Sequence, residues 1–289
     1  MGRSAIVDVQ LLGTVLLWAL NITATRYVLT HGFRPLAYGA TRYTAAALLA
    51  AAFAFGLERS LRVRGRDVFA VIAAGLILYL NQVAFVSSVH LTSASTVALI
   101  FGSTPVFTGI LAAAIGLGRP TPAFWGAAAL SMGGVALIAS SGVSSNVEGD
   151  LLALSCAMTW AAYSVLVAPL MRRYSPYRIS ALVLTVGAIP LIATSATQVS
   201  HQSWTLPTAV WVILGFAVVG PLFLTNILWY SAIGKVGPAR ASLFANLEPF
   251  LAVIVALILL SEHLTAVEIL GGVLILVSVP LERLAHSNG

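Results

Sequence analysis

Between positions 68 and 118 the chain reads VFAVIAAGLILYLNQVAFVSSVHLTSASTVALIFGSTPVFTGILAAAIGLG, without one Asp, Glu, Lys or Arg. A helix needs roughly 20 residues to cross a bilayer core about 30 Å thick, so this run can hold two crossings and a turn. Residues 179–234 form a second run of the same kind, and residues 9–25, 120–147 and 151–171 are uncharged runs that can each hold one crossing. These runs predict a chain that passes through a membrane repeatedly.

Charged residues are too few for a protein surface that faces water. The 289 residues include 15 basic and 9 acidic side chains, 59% of the residues are hydrophobic, and the mean hydropathy is +0.98. Soluble domains carry roughly 25% charged residues, against 8% here. The basic residues do not cluster on one amphipathic face, so we expect no nucleic-acid binding. The single cysteine, Cys156, excludes a disulfide framework, and no ligand cluster predicts a metal or another cofactor.

Ten spans account for the uncharged runs together with the apolar segments that follow Pro35, Pro238 and Thr265. We predict helices at about residues 8–28, 35–56, 67–87, 93–116, 122–140, 150–170, 177–197, 208–230, 238–260 and 265–283. The connectors are short and rich in turn-forming residues, and we expect no extramembrane domain. The predicted fold class is an all-α integral membrane protein with ten transmembrane helices.

The basic residues predict the orientation, because loops rich in Lys and Arg stay on the cytoplasmic side. With the N-terminus inside, twelve basic residues fall on cytoplasmic segments: Arg3, Arg59, Arg62, Arg64, Arg66, Arg119, Arg172, Arg173, Arg178, Lys235, Arg240 and Arg283. Only three fall on the opposite side: Arg26, Arg34 and Arg42. This bias predicts cytoplasmic N- and C-termini, which requires an even number of spans.

The chain also contains an internal repeat. At an offset of 142 residues the matching residues are Asp8 with Asp150, Leu12 with Leu154, and Trp18 with Trp160. At an offset of 144 residues they are Ser87 with Ser231, Leu99 with Leu243, and Pro105 with Pro249. We therefore predict a first five-helix repeat at residues 1–143 and a second at residues 144–289. Because five is odd, the second repeat enters the membrane inverted, an arrangement typical of transporters.

Four features of the sequence resemble the drug/metabolite transporter superfamily in its EamA-type branch. They are LLWALN at residues 16–21, Arg42 in the second span, LEPFLA at residues 247–252, and Ser261-Glu262 at the end of the ninth span. Within the superfamily the chain most resembles the bacterial exporters of aromatic and other amino acids. The resemblance implies ten helices arranged around a central cavity that spans 1, 3, 4, 6, 8 and 9 chiefly line. It also implies export across the inner (cytoplasmic) membrane.

Polar and aromatic side chains at mid-span depth are the candidates for a substrate cavity, since such groups are costly in lipid. They are Trp18 and Asn21 in span 1, Tyr79 and Gln82 in span 3, Trp160 and Tyr163 in span 6, Asn226 and Trp229 in span 8, and Asn246 in span 9. Aromatic faces hold side chains of varied shape, and amides bind carboxylates or ammonium groups, which suits a small zwitterion. Interhelical hydrogen bonding is the alternative role for polar residues of this kind.

Two charged residues and two prolines lie deep in the predicted spans. Glu248 is either a structural acceptor beside Pro249, which we favour, or a site for a coupling proton. Arg42 is expected to pair with an acid or with helix carbonyls, and a direct contact with a substrate carboxylate is the alternative. Pro105 and Pro249 occupy matching places in spans 4 and 9 and are predicted gate bends. The glycines expected to let helices approach closely are Gly133, Gly134, Gly271 and Gly272.

These features predict a secondary or facilitative transporter that exports amino acids, with aromatic and other neutral ones favoured, by alternating access. A multidrug or nucleobase-type metabolite exporter of the same superfamily is the alternative. An integral-membrane enzyme is less favoured, because the chain has no His-Glu-x-x-His motif, no paired mid-depth carboxylates and no glycine-rich phosphate loop. We therefore expect no catalytic residues. The expected partners are a small-molecule substrate and the lipid bilayer, and a chain with its own cavity can function as a monomer.

Overall fold

The structure, a computed structural model, describes residues 3–114, 122–140, 146–232, 235 and 247–286. All regular secondary structure in these residues is helical. The first six helices are α1 (Arg3–Thr30), α2 (Pro35–Glu58), α3 (Gly65–Leu91), α4 (Ala94–Phe101), α5 (Thr104–Ala114) and α6 (Pro122–Ser140). The next five are α7 (Val147–Val167), α8 (Pro176–Ser200), α9 (Thr208–Ala217), α10 (Glu248–Leu259) and α11 (Ala266–His286).

Local sequence explains where several of these helices begin. Pro35 and Pro176 occupy first-turn positions of α2 and α8, where the missing N–H costs no helical hydrogen bond. The hydroxyl of Ser175 caps α8 by accepting from the backbone N–H of Arg178, and Ser93 caps α4 in the same way. These boundaries lie within two residues of the predicted ones.

Seven helical stretches are long and apolar enough to cross a membrane. They are Val7–Thr30, Pro35–Glu58, Gly65–Leu91, Ala94–Leu111, Val147–Arg172, Pro176–Ser200 and Thr208–Ala232. Three shorter apolar helices are Trp125–Ile138, Glu248–Leu259 and Ala266–Ser278. Each stretch overlaps one predicted span, and the count of ten crossings stays a prediction.

Two predicted spans are not continuous α-helices. The fourth is interrupted at Gly102 and Ser103, which separate α4 from α5. The eighth changes to a π-helix at Val218–Leu224, around Pro221, before residues 225–232 continue as helix. Most of the first half of the predicted ninth span, residues 238–246, lies outside the described residues. Proline accounts for the irregularity in span 8, because it has no N–H to donate to a regular helix.

Helices from the two halves of the chain pack against each other throughout the bundle. The main pairs are α2 with α8, α3 with α7 and α8, α6 with α11, α4 with α10, and α1 with α10. At the crossing of α3 and α8, a Cβ atom added to Gly187 would lie 3.0 Å from the backbone oxygen of Gly75. The two halves therefore form one interlocked body, and the interior is lined by both.

Three of the four predicted packing glycines are confirmed. A Cβ atom added to Gly271 of α11 would lie 2.6 Å from the carbonyl oxygen of Gly134 in α6, so these two helices touch through their backbones. Gly272 packs against the side chain of Leu99. The prediction is wrong for Gly133, because nothing lies within 4 Å of a Cβ atom added there.

Large apolar side chains cover the outside of the bundle. Phe69 is 79% exposed, and Ile258, Leu48, Val212 and Ile189 are all at least 65% exposed. Contiguous exposed apolar surface of this kind is unfavourable in water and favourable against lipid tails. The outer face thus agrees with the membrane environment that the composition predicts.

Candidate functional site

The predicted aromatic residues of spans 1, 6 and 8 form one cluster in the interior. The rings of Trp18 and Trp160 meet edge to face with their centroids 5.5 Å apart, and those of Trp18 and Trp229 lie 5.0 Å apart. Tyr163 adds a fourth ring, 5.4 Å from Trp160. Trp160 is half-buried, and the other three are buried. We call Trp18, Trp160, Tyr163 and Trp229 the aromatic cluster.

The π-helical segment holds a hydroxyl against the aromatic cluster. A π-turn contains one residue more than an α-turn, so it changes which side chains of the following helix point inward. The Nε1–H group of Trp18 donates to the hydroxyl of Thr225 at 3.0 Å, and that hydroxyl donates to the carbonyl of Pro221. The indole of Trp18 is thereby fixed in orientation, with its N–H bonded and its ring free to contact the neighbouring rings.

Arg42 lies in α2, and its hydrogen-bond partners come from α1 and α3. Its side chain is only 1% exposed. Nη1 donates to Oδ1 of Asn21 at 2.9 Å, and Nη2 donates to Oε1 of Gln82 at 2.7 Å. A longer contact of 3.5 Å joins Nη1 to the hydroxyl of Thr25. Two of the four predicted cavity amides thus bind one guanidinium group, and they bring α1, α2 and α3 together.

Aromatic rings complete the surroundings of the guanidinium group. Its Cζ atom lies 4.9 Å from the ring centroid of Tyr38, 5.4 Å from that of Phe85 and 5.9 Å from that of Tyr43. No ion pair joins Arg42 to an acid among the described side chains. The expectation of an acid or a helix carbonyl as partner is therefore wrong for this part of the chain. The positive charge is solvated by amide, hydroxyl and ring groups without being neutralised.

Three buried polar atoms around this guanidinium have no hydrogen-bond partner in the described part of the chain. They are Nε of Arg42, Nε2 of Gln82 and the hydroxyl oxygen of Tyr38. Each unpaired buried group costs about 1–3 kcal/mol, so three together are unusual. We call Arg42, Asn21, Gln82 and Tyr38 the arginine site.

The remaining predicted cavity residues are placed differently. Tyr79 is half-buried in α3 and packs against the same hydrophobic core as the aromatic cluster. The side-chain amide of Asn226 donates to the carbonyl of Leu222 in its own helix at 2.7 Å. Asn246 lies outside the described residues. Glu248 is the first residue of α10 and is half-buried, with no hydrogen bond to the described residues.

The two predicted gate prolines stand at the second position of a helix. Pro105 follows Thr104 at the start of α5, immediately after the interruption of span 4, and Pro249 follows Glu248 at the start of α10. A proline at this position removes no hydrogen bond from the helix that it begins. Pro249 is buried beside the interruption, since a Cβ atom added to Gly102 would lie 3.5 Å from its Cγ atom. Span 4 is therefore an α-helix interrupted at Gly102 and Ser103, and Pro105 follows the interruption.

Polar contacts tie the two halves together at the end of the bundle where α2 ends and α3 begins. Arg178 pairs with Glu58, with Nε 2.8 Å from Oε2. Arg173 pairs with Asp67, whose other carboxylate oxygen accepts from the hydroxyl of Tyr174 at 2.7 Å. Both acids belong to the first half and both arginines to the second, so these pairs join the two halves at this end.

A carboxylate from the second half caps a helix of the first half at the opposite end of the bundle. Glu262 accepts from the backbone N–H groups of Ala94 and Ser95 at 3.0 Å each, and from the hydroxyl of Ser95. A carboxylate at this position also interacts favourably with the positive N-terminal end of the α4 dipole. A recess of about 370 Å³ lies at the same end, lined by Leu29, Gly32, Phe33, Arg34, Pro35, His90 and Gln198. None of the predicted cavity residues lines it.

Sequence reasoning did not single out four contributors to the site. The rings of Tyr38, Tyr43 and Phe85 surround the guanidinium of Arg42, and Thr225 receives the Trp18 hydrogen bond. Tyr38 precedes Arg42 by four residues, so the i, i+4 rule for a helix face could have found it. Phe85 and Thr225 give no such signal, because their contacts depend on the packing of α3 and on the π-turn.

The length and polarity of the helices and the apolar outer surface define a multi-pass membrane protein. A family model described as the EamA-like transporter family matches residues 5–140 and matches again at residues 147–281. The chain therefore belongs to the EamA-like transporter family, within the drug/metabolite transporter superfamily, and is a transporter. The predicted resemblance is confirmed, and the limits of the two repeats stay a prediction.

Individual relatives agree with this assignment. The chain is 25% identical to the uncharacterized transporter YyaM of Bacillus subtilis, over 94% of this chain and 91% of the relative. It is 26% identical to a probable terminal-alkyne amino-acid exporter of Streptantibioticus cattleyicolor, over 93% and 90% respectively. A solved crystal structure that is 18% identical superposes with a TM-score of 0.68, covering 98% of this chain and 99% of its own, which shows that the fold is shared.

Proposed function

We propose that the chain is a secondary or facilitative transporter that exports amino acids, with aromatic and other neutral ones favoured, by alternating access. One observation carries the proposal: Trp18 of the aromatic cluster and Asn21 of the arginine site lie three residues apart on one face of α1. Ring faces suit an apolar side chain, and a cation with amides suits a polar end. The relative named as an amino-acid exporter supports the same substrate class.

We also infer ten spans in two inverted five-helix repeats, residues 1–143 and 144–289. The internal repeat makes α2 equivalent to α8 and α6 equivalent to α11, and in both of these pairs the two helices are in contact. Contact between equivalent elements is expected around a pseudo-two-fold axis. Two similar halves in opposite orientation can exchange conformations and open a shared site to either side.

We infer cytoplasmic N- and C-termini from the positive-inside bias, and the inner membrane from the resemblance to the bacterial exporters. In that orientation the pairs of Arg178 with Glu58 and Arg173 with Asp67 lie on the cytoplasmic side. A cysteine in place of Ser60, in the loop after α2, tests the orientation in membrane vesicles. We expect a membrane-impermeant maleimide to label it in inverted vesicles and to leave it unlabelled in right-side-out ones, and the reverse pattern would contradict the proposal.

Uptake by the purified protein in liposomes tests the transport activity. Each of a panel of labelled amino acids is offered with and without an imposed pH gradient, and protein-free vesicles are the control. We expect flux above the control for tryptophan and other neutral amino acids. If no amino acid is carried, the proposal fails, and multidrug or nucleobase-type substrates should be tried next. No catalytic turnover of the carried molecule is expected in the same vesicles.

The pH gradient also decides the role of Glu248. If flux through the wild-type protein is the same with and without the pH gradient, transport is not coupled to protons, and Glu248 is part of the framework. Flux that responds to the gradient should lose its response in Glu248→Gln if this acid carries the coupling proton. Retention of the response in that variant would assign the coupling to another group.

The interruption of span 4 supports a gate at Gly102, Ser103 and Pro105, next to Pro249. We expect Pro105→Ala to slow transport, because alanine lets α5 extend backwards across the interruption. We expect Pro249→Ala to slow it as well, because Pro249 packs beside that interruption. Expression and monodispersity of the two variants should match the normal protein. Unchanged transport rates would remove the gate role of these prolines.

A further inference from the structure

We propose that the arginine site is the subsite for the carboxylate group of the transported amino acid, bound by the guanidinium of Arg42 together with Gln82 and Tyr38. The inference rests on the proposed function, since it names the substrate group that the same site recognises. The proposed function requires only a cavity of suitable polarity. The subsite proposal adds that the carboxylate of the substrate is required for recognition.

The first argument is electrostatic. An arginine in the interior of a membrane protein is expensive to bury, and such residues normally pair with an acid or face a watery cavity. Arg42 is 1% exposed and forms no ion pair with a described acidic side chain. Amides and ring faces stabilise the charge only in part. Within the described residues the site therefore carries a positive charge without a compensating acid, and an anionic ligand would neutralise it.

The second argument is the unused hydrogen-bonding capacity of the site. Nε of Arg42, Nε2 of Gln82 and the hydroxyl of Tyr38 are buried and have no partner among the described residues. All three belong to the same contact group, because Gln82 bonds the guanidinium at 2.7 Å and the Tyr38 ring lies 4.9 Å from its Cζ atom. Each atom can donate a hydrogen bond, and a carboxylate has two oxygens that accept several.

The third argument is the spacing between the arginine site and the aromatic cluster. Asn21, which binds Arg42, lies three residues after Trp18 on α1, or about 5 Å along the helix axis. This is the scale that separates the carboxylate of an aromatic amino acid from its ring. A carboxylate at Arg42 would leave the side chain of the ligand next to Trp18 and the half-buried Trp160.

The guanidinium of Arg42 is buried in this conformation, so a ligand must break one of its present contacts in order to bind. The weakest of these contacts can be identified from the distances. The bond from Arg42 to the hydroxyl of Thr25 is the longest of its three, at 3.5 Å, and is at the limit of a hydrogen bond. Asn21 is half-buried, unlike Gln82, which is buried. An anion that arrives past Asn21 can therefore replace the contacts of Arg42 with α1 while Gln82 keeps its bond.

The alternative is that Arg42 only ties α1, α2 and α3 together. The experiment therefore compares substrates within one protein instead of comparing rates between proteins. Proteoliposomes are offered tryptophan, tryptophanamide and tryptamine, which share the indole ring and the amino group, while only tryptophan has a carboxylate. We expect the normal protein to prefer tryptophan at least about tenfold in kcat/KM, since a hydrogen bond to a charged group contributes about 1.5–3 kcal/mol.

Three variants distinguish recognition from support of the fold. Arg42→Gln should bring the ratio of kcat/KM values close to one, and Arg42→Lys should restore part of the preference because it keeps the charge. Arg26→Gln is the matched control. Arg26 is also an intramembrane arginine, but it donates to the backbone carbonyls of Val89 and His90. Its loss should leave the ratio unchanged.

The outcomes distinguish a failure of the carboxylate subsite from a failure of amino-acid transport. If the normal protein carries tryptophan and tryptamine equally well, the carboxylate subsite is wrong while amino-acid transport stands. If Arg42→Gln slows all three substrates by the same factor, Arg42 is structural, and the subsite is again wrong. If no amino acid is carried, the proposed function fails and the subsite fails with it. Should Arg42→Gln not fold, the substrate ratios of the normal protein and of Arg42→Lys still decide.

Discussion

Replacing Gly271 with alanine should loosen the contact between α6 and α11 and lower the stability of the protein. The added Cβ atom would lie 2.6 Å from the carbonyl oxygen of Gly134 and 2.8 Å from Cγ1 of Ile138, while ordinary contact begins at 3.4 Å. The two helices must therefore separate by roughly 0.8 Å, and close-packed interiors yield to such a shift only at a cost. The oxygen belongs to the backbone and cannot rotate away as a side chain could.

The magnitude follows from two opposing terms. Overpacking of this kind costs about 1–3 kcal/mol, and the rigid backbone partner places Gly271→Ala at the upper end of that range. Alanine regains roughly 1 kcal/mol over glycine in a helix interior, which leaves a net loss of about 2 kcal/mol. A domain of 150–250 residues loses about 2–4 °C of Tm for each kcal/mol, so we expect Tm to fall by about 4–8 °C.

Gly133→Ala is the matched control, because it adds the same methyl group to the same pair of helices without touching anything within 4 Å. It keeps the gain in helix propensity, so its Tm should be unchanged or rise by up to about 4 °C. The assay is thermal unfolding in detergent, followed by tryptophan fluorescence and by the monodisperse fraction. Equal Tm values for Gly271→Ala and Gly133→Ala would refute the proposed backbone contact. Neither glycine belongs to the arginine site or the aromatic cluster, so KM should not change.

Three further predictions concern the interior of the bundle and the end that carries the ion pairs. Trp18→Phe and Thr225→Val each lose other contacts as well, but in a double-mutant cycle the two changes should couple by roughly 1 kcal/mol of unfolding free energy, because each removes one partner of the same hydrogen bond. Additive effects would contradict that bond. Glu58→Gln and Arg178→Gln should couple by about 1 kcal/mol or less, and the coupling should weaken with added salt. Cys156 is 2% exposed, so a maleimide should label the folded protein far more slowly than the unfolded one, and similar labelling rates would argue against its burial.

Most of the helical layout could be predicted from sequence because lipid imposes a simple rule. Every backbone polar group must be bonded within its own helix, so apolar runs of sufficient length become helices almost wherever they occur. The starts of α2 and α8 agree with the prolines that begin them. The interruption at Gly102 and Ser103 could not be predicted, because neither residue is unusual in a membrane helix and the break depends on what packs beside it.

The site shows the same division between local and long-range information. The offset that matches Trp18 with Trp160 predicted that the two residues have related roles, and their rings do touch. The favoured protein partner of Arg42, an acid or a helix carbonyl, was predicted incorrectly for the described residues, where amides bind it instead. Amide partners at Asn21 and Gln82 come from two other helices, and nothing along α2 indicates them.

The sequence by itself determined that this chain is a multi-pass membrane protein of the EamA-like transporter family, because hydrophobicity, charge bias and internal repetition are properties of the chain as written. The tertiary structure alone decided what surrounds each polar group in the interior. The Trp18 hydrogen bond needs the π-turn before Thr225, and the surroundings of Arg42 need three helices that meet, in the part of the chain that the structure describes, without an acid beside the guanidinium. Such contacts depend on helix packing, which brings together residues that are distant in the sequence and carry no local pattern to announce it.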